Sequence, residues 1–189
     1  TKYDAEVRQM TRLPEFLGKA FREATAGVPR PVHLYVAGEL EYMKLETDLA
    51  ELDPRYFKYP AFRSKADEAD VRKAVEMLTR SRRPAIVAGR GAIASGAWNE
   101  VTELAERLNI PVTTSLGGKG SIDEKHRLAM GVQGSYRRSA ANDVIDDADL
   151  LLYIGSHIGG ATTLLHTLPG PTIPIIHIDI DPAQPGKNY

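Results

Sequence analysis

Cysteine is absent from the 189 residues, which excludes disulfides, thiolate nucleophiles and cysteine-ligated metals at once. Long apolar runs are missing too. No stretch approaches the roughly 20 residues that span a bilayer, and residues 1–20 lack the charged-then-apolar order of a signal peptide. The expected location is therefore cytoplasmic, without a membrane partner. Neither sign of charge is in surplus: 24 Lys plus Arg stand against 25 Asp plus Glu, a formal net charge of -1. Nothing electrostatic draws the chain to nucleic acid. The five histidines, at 33, 126, 157, 166 and 177, show no metal-ligand spacing, so a structural metal is not expected. What is present is 42% apolar residues, enough for an ordinary globular core.

Apolar periodicity divides the chain. Leu13, Phe16, Leu17, Ala20, Phe21 and Ala24 recur at helical spacing, with Thr11 placed to cap the helix and Gly27 to stop it. A strand, Val32–Val36, follows through Pro29 and Pro31. From residue 39 to 65 neither period is sustained, and the reading is an ordered linker whose Tyr56, Phe57, Tyr59 and Phe62 pack along a domain surface. Strand and helix then alternate: helix 67–81, strand 85–88, helix 97–108, strand 112–114, helix 138–147, strand 150–154 and strand 175–180. Ser95 is placed to cap the second of these helices, and Asn109 before Ile110-Pro111 stops it. Strands apolar on both faces, such as LLLYI, need helices above and below. The expected fold class is therefore α/β, a three-layer, doubly wound parallel sheet of Rossmann-like form.

In such a sheet chemistry gathers at the carboxyl ends of the strands. Gly89-Arg90-Gly91-Ala92-Ile93-Ala94 matches G-x-G-x-x-[GA] at a strand-to-helix turn, and stands equally as a phosphate cradle or as a tight glycine turn. An NAD-dehydrogenase reading also wants an acid closing the second strand, where this chain has Thr114-Ser115-Leu116-Gly117. Gly117-Gly118-Lys119-Gly120-Ser121 is no Walker A loop, because Thr113 and Gly120 occupy required positions, and Lys119 is left as a solvated lysine or a phosphate neutraliser. Ser135, Ser139 and Ser156 lack the flanking glycines of a nucleophile elbow. On the last strand Asp179 and Asp181 stand either to accept from a nucleotide or to close the turn at Pro182.

Taken in order, RPAIVAGRGA, NIPVTTSLGGKGSI, LAMGVQG, DADLLLYIGS and IIHIDIDPAQPGKN resemble the central domain of thiamine-diphosphate-dependent enzymes related to acetolactate synthase. Upstream, LPEFLGKAFREATAGVPRPVHLYV resembles the last helix and strand of the preceding pyrimidine-binding domain. The resemblance implies residues 1–38 as the end of that domain, 39–65 as linker and 66–189 as a central domain truncated at its C-terminal end. It implies a longer parent, a lyase or transferase acting on 2-oxo acids, with thiamine diphosphate and magnesium held by flanking domains of a homo-oligomer. No catalytic residue is expected in this piece. The central domain in that family binds FAD, ADP or nothing, and the resemblance assigns the nucleotide to Gly89 and Gly91, Ser115, Leu116 and Gly117, Gly131, Val132 and Gln133, Gly155, Ser156 and His157, and Asp179, Ile180 and Asp181. Where flavin-binding synthases carry an Arg-Phe-Asp-Asp-Arg-like stretch, this chain has Ser156-His157-Ile158-Gly159-Gly160-Ala161-Thr162, a departure that weighs against flavin. The alternative is a free-standing regulatory module that binds NAD or ADP on a sirtuin-like sheet.

Overall fold

The computed structural model describes residues 1–40, 42–44 and 53–189, so the part of the expected linker at 41 and 45–52 lies outside the described residues. The chain divides into two compact units, 1–64 and 65–189. In the first, strand β1 (Tyr3–Val7) pairs in parallel with β2 (Val32–Val36) through helix α1 (Leu13–Thr25). Sequence periodicity does not mark β1, a five-residue strand carrying Asp4 and Glu6. Thr11 does not cap α1. It lies in a short 3₁₀ turn, Met10–Arg12, and the helix begins at Leu13 with Pro14 in its first turn. Residues 53–64 belong to this unit: Asp53 caps a 3₁₀ turn at Pro54–Phe57, and Phe57 meets Phe21 of α1 edge-on at 5.3 Å.

The second unit is a five-stranded sheet in the order β5-β4-β3-β6-β7, every pair parallel. Its strands are β3 (Pro84–Ala88), β4 (Val112–Thr114), β5 (Ala129–Val132), β6 (Leu150–Ile154) and β7 (Ile175–Ile178). Successive residues of β3 point to opposite faces. On one face Ile86 and Ala88 join Val112, Leu150 and Leu152 under Leu78 of α2 (Glu68–Arg80), Ala92 of α3 (Arg90–Ala94) and Val101 and Ala105 of α4 (Trp98–Leu108). On the other, Ala85, Val87, Leu151 and Tyr153 pack with Ile145 of α5 (Ser139–Asp147). This is the expected α/β parallel sheet with helices on both sides. The stop at Asn109 holds as well, since that residue is left-handed at φ 52°. Ser95, by contrast, does not cap α4; it closes α3 and donates to the Ala92 carbonyl at 3.2 Å, leaving Ala97 at the start of α4. Among the described residues no helix is long and apolar enough to cross a membrane.

At the amino ends of the central strands one carboxylate ties the entry to β3 onto β6. Asp149 accepts from the Ser81 hydroxyl and from the backbone N–H of Arg82 at 2.9 Å and Arg83 at 3.0 Å. The Ser81 bond, then the backbone donors, hold its carboxyl below the usual aspartate range. A carboxylate whose folded pKa is depressed stabilises the fold above its unfolded pKa of about 4, and the contribution is lost as pH falls through the lower folded value. Asp149→Asn is expected to lower the urea midpoint at pH 7 and to flatten the acid limb below about pH 4. A midpoint equal to that of the parent chain at pH 7 would show that the three bonds are not made in solution.

Candidate functional site

Because every strand runs the same way, all strand ends that bear glycine corners fall on one edge of the sheet. Ladder bonds continue past the strands and stitch that edge together: Gln133 N–H to the Thr114 carbonyl at 2.9 Å, Ser115 to Ala88 at 3.0 Å, Gly89 to Ile154 at 2.8 Å and Gly155 to Ile178 at 2.7 Å. The fourteen residues assigned from the sequence thus lie along one rim.

They do not present themselves alike. Chain direction across the sheet reverses between β3 and β6, the point where open α/β sheets ordinarily leave a ligand crevice. Here backbone fills it. The Gly91 N–H donates to the Gly155 carbonyl at 2.8 Å, and a Cβ added at Gly89 would sit 2.2 Å from that same oxygen. Gly155 itself is at φ 59°, and a Cβ on it would lie 2.5 Å from the Gly91 Cα. Of the two readings of the Gly89 turn, the geometry is that of a tight turn, with its amide spent inside the protein.

The last strand ends at Ile178 rather than at 180, and the acids of the turn beyond it are engaged in the same way. Asp179 accepts from the Asp181 N–H at 2.9 Å, and Asp181 accepts from the Ala183 N–H at 3.0 Å and the Gln184 side-chain amide at 3.1 Å. His177, its side chain 6% exposed, donates Nε2–H to the Ser156 carbonyl at 2.7 Å. Since a carbonyl only accepts, Nε2 carries the proton. Burial holds this imidazole below the ordinary histidine range, despite Asp179 at 3.8 Å. Ser156 is buried and His157 exposed.

Gln133 is also structural. It is 2% exposed, accepts from the Thr113 hydroxyl at 2.6 Å and donates to the Thr162 carbonyl at 3.1 Å, while Asn142 accepts from the Gly134 N–H at 2.9 Å. Sequence reasoning passed over Thr113, Asn142 and Thr162, because single polar residues in apolar surroundings carry no periodic signal. Tyr153 shares that face of the sheet, its hydroxyl buried beside Gln133, and burial pushes its pKa up to about 12.

The open part of the rim lies beyond β4. A cleft of about 270 Å³ is lined by Leu116, Gly131 and Val132 from the assigned set, and also by Lys119, Glu124, Tyr136 and Arg138. Lys119 pairs with Glu124 at 3.2 Å. Arg138 lies over Gly131, whose missing Cβ would come 3.0 Å from the arginine Cδ. A second hollow, of about 620 Å³ beside Arg82, Pro84, Asn109 and Pro111, is at the opposite end of the sheet, away from every assigned residue. Among the described residues no group of three or more His, Cys, Asp or Glu is placed to hold a metal ion.

A sheet of this order with glycine corners along one rim is common to many families, and comparison with known proteins decides among them. The profile described as "Thiamine pyrophosphate enzyme, central domain" matches residues 71–189, more than half of the chain. The chain belongs to the thiamine pyrophosphate enzyme family. Its 65–189 unit holds the family's central domain. The probable acetolactate synthase large subunit of Methanocaldococcus jannaschii is 36% identical over 190 residues, covering 100% of this chain and 32% of the relative. That of Methanococcus aeolicus is 34% identical over 196 residues, 99% of this chain and 31% of the relative. The acetolactate synthase isozyme 1 large subunit of Escherichia coli is 30% identical over 187 residues, 99% of this chain and 32% of the relative. The chain therefore spans about a third of the length of these curated relatives. Similarity extends through residues 1–64 as well as through the central domain.

Proposed function

We propose that the chain is a non-catalytic part of a thiamine-diphosphate-dependent enzyme, acetolactate synthase-like, that makes or breaks a carbon–carbon bond beside the carbonyl of a 2-oxo acid. The observation that carries the reading is whole-chain similarity to acetolactate synthase large subunits. Thiamine diphosphate and magnesium enter this reading through the resemblance, which assigns them outside these residues. In this reading that cofactor and its metal belong to flanking domains, the working assembly is a homo-oligomer, and the protein is cytoplasmic. The central domain acts as scaffold and carries a nucleotide site on the part of its rim that is open. FAD and ADP are the two candidates by resemblance. What favours the open rim is that the amide of Gly91 and the carboxylates of Asp179 and Asp181 already have partners, whereas Leu116, Gly131 and Val132 border free space.

Incubating the purified chain with pyruvate, thiamine diphosphate and magnesium is expected to release no carbon dioxide and form no acetolactate above a protein-free blank. Turnover that persists through purification to homogeneity would place catalytic residues within these 189 and end the reading.

A further inference from the structure

At the amino end of the sheet, the hollow of about 620 Å³ sorts its polar groups into two kinds. Thr79, Ser81 and Asn109 are engaged within the protein: the Thr79 hydroxyl donates to the Val75 carbonyl at 2.9 Å, Ser81 donates to Asp149, and Asn109 accepts from Arg127 at 2.6 Å. Arg82, Arg83, Asp143 and Asp147 are not. Among the described residues their side chains make no ion pair and no hydrogen bond, although two cations and two anions line the same hollow.

The two signs stand on different layers. The arginines follow α2, which covers one face of the sheet, and the aspartates lie on α5, which covers the other. The backbone beneath the arginines is pinned, since the N–H groups of both donate to Asp149, so the guanidinium stems start from a fixed base. Asp143 and Asp147, four residues apart, share one side of α5. With Asp146 they occupy the closing turns of that helix, where its carbonyl ends repel anions, and the last turn holds no basic residue. Acids so placed weaken their own helix. A local rule broken without compensation inside the chain marks a position shaped by a partner, and here the missing group is a cation. Between the charged lips the lining is apolar, from Leu78, Leu108, Pro111 and Val144.

We propose that this hollow binds a short apolar peptide with free ends, its carboxylate on Arg82 and Arg83, its ammonium on Asp143 and Asp147, and its side chains on the apolar lining between them. A ligand of one sign would leave the other lip facing a like charge. A single amino acid carries both signs but holds them on one carbon, too close together to reach lips on opposite layers. A peptide separates its ends by about 3.3 Å for each added residue, and about 620 Å³ is within the range of small-molecule sites. The arginine fork suits a carboxylate.

Calorimetric titration of the chain with the tripeptide Leu-Gly-Leu, its N-acetyl form, its C-terminal amide and free leucine tests this directly. The free-ended tripeptide is expected to bind most tightly, with an affinity that falls as salt rises. Blocking either end is expected to weaken it at least about tenfold. Asp143→Asn with Asp147→Asn is expected to erase the difference between the free and N-acetyl peptides and to keep the penalty for the amide; Arg82→Gln with Arg83→Gln is expected to do the reverse. Lys73→Gln, which does not line the hollow, is expected to change nothing, with circular dichroism confirming the fold of each variant. Without peptide, Asp147→Asn is expected to raise the urea midpoint, because it removes an anion from the wrong end of α5. No heat with the tripeptide at millimolar concentration, leucine binding as tightly as the tripeptide, or blocked ends without effect would each overturn the proposal. So would a lower midpoint for Asp147→Asn, which would show that the acids serve the fold.

Discussion

Gly155→Val is expected to destabilise the 65–189 unit by about 2–6 kcal/mol, a large share of the roughly 5–15 kcal/mol that holds a domain folded. Two costs add. A β-branched residue at φ 59° is strained by roughly 1–3 kcal/mol. Its Cβ must also displace backbone at 2.5 Å, and overpacking a close-packed site costs about 1–3 kcal/mol more. The atoms in the way are backbone of α3, which cannot rotate aside as a side chain would. Gly159→Ala is the control: its added Cβ meets nothing within 4 Å, and its stability is expected to stay within about 0.5 kcal/mol. Urea unfolding followed by circular dichroism measures both. A Gly155 variant as stable as the Gly159 variant would mean that the crevice between β3 and β6 is open in solution, and the phosphate cradle at Gly89 would return.

The second large effect is expected at Gln133. Truncation to Ala removes an acceptor from the Thr113 hydroxyl and a donor from the Thr162 carbonyl, and leaves a void beside the sheet. The expected loss is about 2–4 kcal/mol, from the unmet Thr162 carbonyl and a small cavity, since the Thr113 hydroxyl keeps the Ile86 carbonyl at 3.2 Å. Gln133→Met, which keeps the volume and drops the bonds, is expected to lose less than Ala. Stability unchanged in both, together with weakened nucleotide binding, would return Gln133 to the ligand-contacting role that resemblance assigns it.

The architecture was legible because its signals are periodic. Ala85–Ala88 and Leu150–Ile154 are apolar on both faces, and the stripes of α2 and α4 have the matching helical spacing. Strands β1 and β5 were not marked. One is short and charged, and the other, Ala129–Val132, is an edge strand that needs no continuous apolar run and contains Gly131 at φ 93°. For the site, sequence and resemblance bring the right corners to the right rim. What they do not carry is which amides are already taken, since the Gly91 to Gly155 bond joins residues far apart in the chain. Nor do they weight Arg138, an exposed cation like many others until Gly131 is seen beneath it.

The strand order has a bearing on how the unit acquires its shape. Pro84 of β3 meets Leu150 of β6, so the innermost pairing waits for most of the unit to emerge from the ribosome. Until then β3 has only β4, of three residues, beside it. A nascent chain halted between the two central strands would expose Ile86 and Val87 to any other extended segment nearby, and association at that stage, before the centre closes, is the hazard built into this topology.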